Sequence, residues 1–371
     1  MKKVMFLIYS LGGGGAERVL TDTVNYLDKE KYDVTLCALF HDETWANFLG
    51  DDVHYKPALR IQNRILKKII SGGIQYLLPP SFVYRHLFQG DYDVEVAFME
   101  AFPTKILGAS CNKKAKKYTW VHIDMNTYTK QDRIYKSLED QKRCYEKFDG
   151  IYCVSQSVKE AFEKKFGIKD RVYVSYNILN EKWIQKKAEE ECAKIKKDKF
   201  TMISVGSLIP RKGFERLIRI CSQLKAEGFL FELYILGDGE LRDDLYRMIK
   251  EKNVVDCVFM EGFQSNPYSY MKRSDLYVCS SYVEGFSTVV SEAVILGIPV
   301  VTTESSGMRE ILGDSEYGLI TENSDESLYQ GMKKMIADHD AYEHYSKKVK
   351  ERSSFFSIKE RLREYETILD Q

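Results

Sequence analysis

Residues 274–303 read SDLYVCSSYVEGFSTVVSEAVILGIPVVTT. The apolar run at 274–280 leads into a glycine-containing loop, a helical pattern follows, and a second apolar run begins after Pro299. Because a strand, a crossover and a further strand form a parallel pair, this stretch predicts a parallel sheet covered by helices.

Two carboxylates lie eight positions apart in this stretch. Glu284 is in the glycine loop, and Glu292 is about one turn into the predicted helix. Carboxylates so placed can contact different parts of one ligand, while the N–H groups of the loop and the positive end of the helix face its anionic part. An ordinary loop charge and an ordinary helix glutamate explain the same residues when each is taken alone.

The same alternation of apolar runs and amphipathic stretches extends over the whole chain, which indicates an α/β protein. The polar segment 180–199 interrupts it once, and the pattern then restarts. We therefore predict two α/β domains, 1–180 and 181–352. The other runs predicted as strands are 4–9, 32–39, 93–98, 118–123, 150–155, 171–177, 200–206, 231–237, 254–262, 299–303 and 317–321.

Two further loops follow predicted strands and are candidates for phosphate binding. In LGGGGAER (11–18), glycines let backbone N–H groups approach an anion at a helix N-terminus. In VGSLIPRKGF (205–214), Arg211 and Lys212 follow a strand end, the usual place for ligands in doubly wound sheets, where fixed cations hold a diphosphate. A bare turn and a solvated turn are the respective alternatives.

Composition excludes several classes of protein. A chain of 371 residues with 44% hydrophobic residues fits two globular domains, and 55 basic against 55 acidic residues gives no global charge for a nucleic-acid partner. The eight cysteines contain no C-x-x-C pair and the six histidines are scattered, so we expect neither a disulfide framework nor a metal site, but reduced cytoplasmic thiols. The run at 4–9 is too short for a signal peptide, and no stretch approaches the ~18 apolar residues that span a bilayer.

Residues 53–90 contain no Asp or Glu, and this absence predicts contact with an anionic membrane surface. Ile61, Ile65, Leu66 and Ile69 fall on one helical face with basic residues beside it, and apolar and aromatic residues follow. The predicted membrane contacts are Arg60, Arg64, Lys67 and Lys68. A helix that packs on the core with a solvated basic edge is the alternative.

Together these motifs resemble the retaining glycosyltransferases of family 4. The resemblance covers nearly the whole chain in order: LGGGGAE, WVHID, VGSLIPRKGF, ILGDGELRDDL, EGFSTVVSEAVILGIPVV and SSGMREIL. It implies the GT-B fold, in which two Rossmann-like domains face each other across a deep cleft. It also implies that the final helix, within 353–371, crosses back onto the first domain.

The resemblance further implies a nucleotide-sugar donor in the cleft, held mainly by the second domain. Glu292 would bind the ribose, Glu284 the transferred sugar, and Lys212 with Arg211 the leaving diphosphate. The implied catalytic residues are Glu284, Lys212 and His122, which lines the acceptor side. The implied donor-binding residues are Gly13, Gly14, Gly15, Ser207, Arg211, Lys212, Gly237, Leu241, Gly262, Phe263, Glu284, Gly285, Phe286, Ser287, Thr288, Val289 and Glu292. Family members often have Arg where this chain has Ser207, which leaves more of the phosphate charge to Arg211 and Lys212.

The implied reaction transfers a hexosyl or N-acetylhexosaminyl group from a nucleotide sugar, with UDP favoured by family frequency, and retains the anomeric configuration without a metal. The expected acceptor is a saccharide, lipid-linked in cell-surface polysaccharide assembly such as capsule or exopolysaccharide, at the cytoplasmic face of the membrane. A sugar-nucleotide epimerase and a non-catalytic nucleotide-sugar-binding module of the same architecture are the alternatives. A requirement for an acceptor discriminates the transferase from the epimerase.

Overall fold

The computed structural model of the chain describes residues 1–12, 14–127, 129–191, 194–195 and 197–371. The chain forms two compact units. The first contains Met1–Ile178 and Lys359–Gln371, and the second contains Leu179–Ile358. The domain boundaries predicted from the sequence, near 180 and 353, differ from the observed boundaries by a few residues.

The first unit is built on a seven-stranded sheet in which all neighbouring strands are parallel, in the order β3-β2-β1-β4-β5-β6-β7. The strands are β1 (Lys2–Ser10), β2 (Tyr32–Phe40), β3 (His54–Leu59), β4 (Val94–Ala97), β5 (Lys116–Val121), β6 (Gly150–Cys153) and β7 (Val172–Val174). The helices are α1 (Gly15–Tyr26), α2 (Glu43–Ala46), α3 (Arg64–Gly72), α4 (Pro80–Val83), α5 (Phe102–Leu107), α6 (Leu138–Tyr145) and α7 (Gln156–Phe166).

The strand order of this sheet reverses between β1 and β4, so the connections that follow these two strands leave in opposite directions. Such a reversal opens a crevice at the carboxyl ends of the strands, where doubly wound sheets bind ligands. Leu11 and Gly12 follow β1, and Gly14 and Gly15 lead into α1, so these described residues of the glycine loop lie at that edge.

The second unit has a six-stranded parallel sheet in the order β10-β9-β8-β11-β12-β13. Its strands are β8 (Phe200–Val205), β9 (Phe231–Leu236), β10 (Val258–Gly262), β11 (Leu276–Cys279), β12 (Val300–Thr303) and β13 (Leu319–Thr321). Its helices are α8 (Glu181–Ala188), α9 (Phe214–Ala226), α10 (Arg242–Glu251), α11 (Tyr268–Lys272), α12 (Thr288–Ile295), α13 (Met308–Leu312), α14 (Asp325–Ala337) and α15 (His339–Arg352). The order reverses between β8 and β11, which places the loops after these two strands side by side.

The last helix, α16 (Ile358–Asp370), packs on the first unit. The ring of Tyr365 stacks on Trp120 of β5 with centroids 5.0 Å apart, and the hydroxyl of Tyr32 donates to Asp370 at 2.8 Å. Lys2 Nζ donates to the carbonyl of Leu369 at 2.7 Å. The chain therefore returns to its first unit at its end, as predicted. Among the described residues, no helix is long and apolar enough to cross a bilayer.

Candidate functional site

A cationic turn follows β8 and is fastened to the loop after β11. Pro210–Lys212 forms one turn of 3-10 helix, in which the carbonyl of Arg211 accepts from the N–H of Tyr282 at 2.8 Å and the carbonyl of Lys212 accepts from Ser280 Oγ at 3.0 Å. Gly213 completes the turn with a φ of +64°, and a Cβ there would lie 2.2 Å from the carbonyl oxygen of Ser280. Only glycine fits this close approach.

The loop after β11 carries Glu284, whose carboxylate contacts three polar side chains. Oε1 lies 2.5 Å from Lys212 Nζ and accepts from Ser281 Oγ at 2.6 Å, and Oε2 lies 3.7 Å from Arg211 Nη1. Glu284 is only 6% exposed. The structure thus brings the predicted acid and both predicted cations into one cluster.

The two cations keep the Glu284 carboxylate charged. Burial by itself raises the pKa of this carboxyl, but the charges of Lys212 and Arg211 and the hydrogen bonds from Lys212 and Ser281 outweigh it, so the pKa lies below its ordinary value. Because Glu284 and Lys212 are largely shielded from solvent, the attraction between their charges is screened much less than in a surface ion pair.

The loop after β11 continues directly into α12, so the N-terminus of this helix follows Glu284 closely in the sequence. Ser287 caps the helix, with its side chain 3.5 Å from the N–H of Val290. Gly307, which precedes α13, has a φ of +79°, and a Cβ there would lie 2.4 Å from the carbonyl oxygen of Gly285. The backbone at 285–289 therefore has a second loop packed against it, and its N–H groups form the positive end of a helix.

Glu292 projects from α12 and is 5% exposed. Its Oε1 accepts a hydrogen bond from the hydroxyl of Tyr268, at 2.8 Å. Glu284 and Glu292 both contribute to the raised pKa of the buried phenol of Tyr277, after the larger effect of burial. Both predicted carboxylates therefore lie in the region around the end of β11.

The loops after β8, β9 and β10 pack on one another. A Cβ on Gly237, which has a φ of +146°, would lie 1.9 Å from the carbonyl oxygen of Gly206, and the N–H of Gly237 donates to the carbonyl of Gly262 at 2.8 Å. Leu241 is partly buried against the core, whereas Phe263 is 53% exposed. Of these two predicted donor-binding side chains, Phe263 is thus the one that is more exposed.

In the first unit, Gly14 is the N-cap of α1 and Gly15 is its first residue. A Cβ on Gly14 would lie 2.1 Å from Glu17 Oε2, so the glutamate side chain folds back over this glycine. Gly13 lies outside the described residues.

His122 follows β5. Its backbone N–H donates to Glu100 Oε2 at 3.0 Å, and the centroid of its ring lies 5.1 Å from that of Phe98. Although the residue as a whole is partly exposed, its Nε2 is buried, and burial lowers the pKa of the imidazole to about 4. The imidazole is therefore neutral near pH 7.

The basic stretch of the first unit presents apolar side chains to solvent. α3 begins at Arg64, not at Ile61, because the side chain of Asn63 accepts from the N–H groups of Ile65 and Leu66 and caps the helix. Seven exposed side chains form what we call the apolar face: Ile65, Leu66, Ile69, Tyr76, Leu77, Leu78 and Phe82.

The predicted membrane-contact residues differ in their surroundings. Arg60 and Lys68 are exposed. Lys67 is instead held 4.0 Å from Asp42, with its Nζ 5.2 Å from the ring of Phe40. The side chain of Arg64 lies outside the described part of the structure.

Comparison with known proteins identifies the family. The profile of "Glycosyltransferase Family 4" matches residues 13–182, and that of "Glycosyl transferases group 1" matches residues 185–352. A Campylobacter jejuni protein named N-acetylgalactosamine-N,N'-diacetylbacillosaminyl-diphospho-undecaprenol 4-alpha-N-acetylgalactosaminyltransferase is 32% identical over 372 residues, covering 96% of each chain.

The chain belongs to the group 1, family 4 glycosyltransferases. An uncharacterized glycosyltransferase of Haemophilus influenzae is 25% identical to it over 372 residues, covering 100% of both chains.

Solved structures agree with this glycosyltransferase in fold. Anabaena HepE, solved in complex with UDP and glucose, superposes with a TM-score of 0.79 at 18% identity and 100% coverage of both chains. TarM of S. aureus, solved with UDP among its ligands, gives 0.77 at 12% identity, again over 100% of both. The predicted GT-B fold is therefore confirmed.

Sequence reasoning missed three residues around the site of the glycosyltransferase. Ser281 and Tyr268 each hydrogen-bond one of the two carboxylates. The fully buried Arg216 places its guanidinium 3.5 Å from the ring centroid of Tyr282 and so packs against the loop after β11. The spacing Ser281-x-x-Glu284 was a local signal for the first, whereas Tyr268 and Arg216 come from other elements.

Proposed function

We propose that this glycosyltransferase moves a hexosyl or N-acetylhexosaminyl group from a UDP-sugar to a lipid-linked saccharide, with retention and without a metal. The cluster of Lys212, Arg211 and Glu284 in the second unit carries the proposal, because it places two cations and one carboxylate at the carboxyl edge of the sheet. The alternatives are an epimerase and a binding module with the same architecture.

In the proposed reaction the anomeric carbon loses its bond to the diphosphate oxygen and gains one to the acceptor hydroxyl on the same face. The departing phosphate takes the hydroxyl proton. Lys212 and Arg211 neutralise the charge that develops on the leaving oxygens, together with N–H groups at 286–289, and Glu284 faces the hydroxyls and the partial positive charge of the sugar. Preorganised cations of this kind replace the Lewis acid that other transferases take from a metal.

The lipid-linked acceptor is supported by the name of the Campylobacter jejuni relative, which transfers N-acetylgalactosamine to a saccharide on diphospho-undecaprenol. Other relatives are named as enzymes of lipopolysaccharide core or colanic acid biosynthesis. We propose the same class of acceptor for this chain, in bacterial cell-surface polysaccharide assembly.

A donor screen tests the reaction. Purified full-length protein is incubated with UDP-, GDP- and ADP-sugars, with and without EDTA and with a polyprenyl-diphosphate-linked saccharide, and release of nucleoside diphosphate is measured. We expect release from a UDP-sugar that needs the acceptor and is insensitive to EDTA. Conversion of the donor sugar without an acceptor would favour the epimerase, and binding without turnover under all conditions would favour the binding module.

We also propose that the protein binds the cytoplasmic face of the membrane through the apolar face. Leu77 is 81% exposed and Ile65 72% exposed, in a stretch (53–90) that has basic residues and no acid. Apolar side chains beside Arg60, Lys68 and Arg85 complement a surface of anionic lipid, where each cation contributes ~1 kcal/mol. Such a surface would bring the enzyme to a lipid-linked acceptor.

Vesicle binding tests this surface. The double variant Ile65→Ser and Leu77→Ser should pellet less with vesicles that contain phosphatidylglycerol, and the parent should bind phosphatidylcholine vesicles weakly. The matched control is Leu230→Ser, because Leu230 is 77% exposed but belongs to the second unit. Equal pelleting of the parent and the double variant would exclude the apolar face as the contact.

A further inference from the structure

Tyr268 is a buried phenol that contacts one of the two carboxylates of the candidate site. It is 1% exposed, and its hydroxyl lies 2.8 Å from Glu292 Oε1. It begins α11, an element that the motifs of the sequence do not include, and it reaches Glu292 on α12 from there.

Contacts to the ring and to the backbone of Tyr268 fix its position. Trp183 of α8 packs edge-to-face on it with centroids 5.6 Å apart. Asn266 accepts from the N–H of Tyr268 at 3.2 Å and donates to the carbonyl of Lys187 at 2.9 Å, which ties the start of α11 to α8. The hydroxyl is therefore held in one place, and an aligned donor of this kind fixes the orientation of the carboxylate that it contacts.

We propose that Tyr268 is a positioning residue that orients Glu292 toward the ribose hydroxyls of the nucleotide donor. This inference rests on the proposed function, in which Glu292 binds the ribose. A carboxylate has about four acceptor positions, and the Tyr268 hydroxyl occupies one of them on Oε1. With the carboxylate turned in this way, Glu292 accepts from the 2′- and 3′-hydroxyls of the donor, and the site discriminates ribonucleotides from dideoxynucleotides.

Tyr268→Phe removes the hydroxyl and keeps the ring against Trp183. Binding of UDP and of 2′,3′-dideoxy-UDP to the full-length protein is measured by calorimetry. We expect the variant to bind UDP about 5-fold more weakly than the parent does, and to bind dideoxy-UDP as the parent does. In turnover, KM for the donor rises and kcat stays the same, because Tyr268 does not touch the reacting atoms.

Two further variants separate the possible explanations. Tyr329→Phe is the matched control, because Tyr329 is also buried in the second unit and its hydroxyl also contacts a glutamate, Glu227. It should leave both affinities unchanged. Glu292→Ala should abolish the preference for UDP, and adding Tyr268→Phe to it should have no further effect on that preference.

The outcomes distinguish the two levels of the proposal. If the parent shows no preference for UDP over dideoxy-UDP, the ribose role of Glu292 fails and this inference fails with it. If Glu292→Ala loses the preference but Tyr268→Phe keeps it, the proposed function stands and the positioning role of Tyr268 is overturned. Equal weakening of both ligands by Tyr268→Phe likewise overturns it, because that result marks a merely structural tyrosine.

Discussion

The Glu284 carboxylate is the residue around which the candidate site is organised. Lys212, Arg211 and Ser281 all lie within 4 Å of its oxygens, and the carboxylate itself is buried. Under the proposed function, the donor diphosphate competes with this carboxylate for the two cations. The ion pair therefore keeps Lys212 and Arg211 oriented before the donor arrives, which reduces the reorganisation needed during the reaction.

Replacing Lys212 tests this role. We expect Lys212→Ala to lower kcat by about 10²-fold or more, because a preorganised charge next to the leaving oxygens is lost. Nucleoside diphosphate release from the donor identified in the screen is the measurement. Lys333→Ala is the control, since Lys333 also pairs with a glutamate of the same unit, Glu227, at 2.8 Å. Full activity of Lys212→Ala would remove this lysine from the proposed mechanism.

The lowered pKa of Glu284 leads to a second prediction, which concerns the stability of the fold. A carboxyl whose pKa is lower in the folded state stabilises the fold above its ordinary pKa and loses that contribution as the pH falls through its folded value. Glu284→Gln should therefore be less stable than the parent at pH 7, and the difference should shrink as the pH falls below about 4.5. Urea unfolding at several pH values measures it, with the exposed Glu251→Gln as control. A difference that stays constant with pH would contradict the charged pair.

At the scale of elements, the site depends on loops that pack backbone to backbone. A Cβ on Gly213, Gly237 or Gly307 would collide with a carbonyl of Ser280, Gly206 or Gly285. The strands could be predicted without knowledge of such contacts, because apolar runs that are buried on both faces of a parallel sheet are visible in the sequence. Hydrophobic spacing predicts the start of α3 three residues too early, because spacing alone does not reveal a cap such as Asn63.

Two glycines of the second unit provide a matched test of this packing. Gly213 has a φ of +64° and Gly228 a φ of +88°, but a Cβ on Gly228 would meet no atom within 4 Å. Gly228→Ala should cost about 1 kcal/mol of stability from backbone strain alone. Gly213→Ala should cost more and also lower activity, because the cationic turn must shift away from Ser280. Thermal unfolding and donor turnover measure both effects, and equal behaviour of the two variants would contradict the contact.

On the scale of the whole molecule, the sequence motifs predicted the family and the fold. Each motif lies at the end of a predicted strand, and the alternation of strands and helices repeats along the chain. They did not predict Tyr268 or Arg216, which reach the site from α11 and α9. Such contacts depend on how distant elements pack, and no local spacing encodes them. The return of α16 to the first unit is a similar long-range contact. The family resemblance predicted it, whereas periodicity alone did not.

The return of α16 predicts that the end of the chain stabilises the first unit selectively. Tyr365 is fully buried against Trp120, so Tyr365→Ala should destabilise the fold by ~3 kcal/mol through the cavity it leaves. Hydrogen exchange should quicken in β1, β2 and β5 and stay unchanged in β8–β13, because the helix packs on the first sheet. Arg363→Ala, at an exposed position of the same helix, should change neither unit. Faster exchange of equal size in both units would show instead that α16 stabilises the two sheets as one cooperative structure.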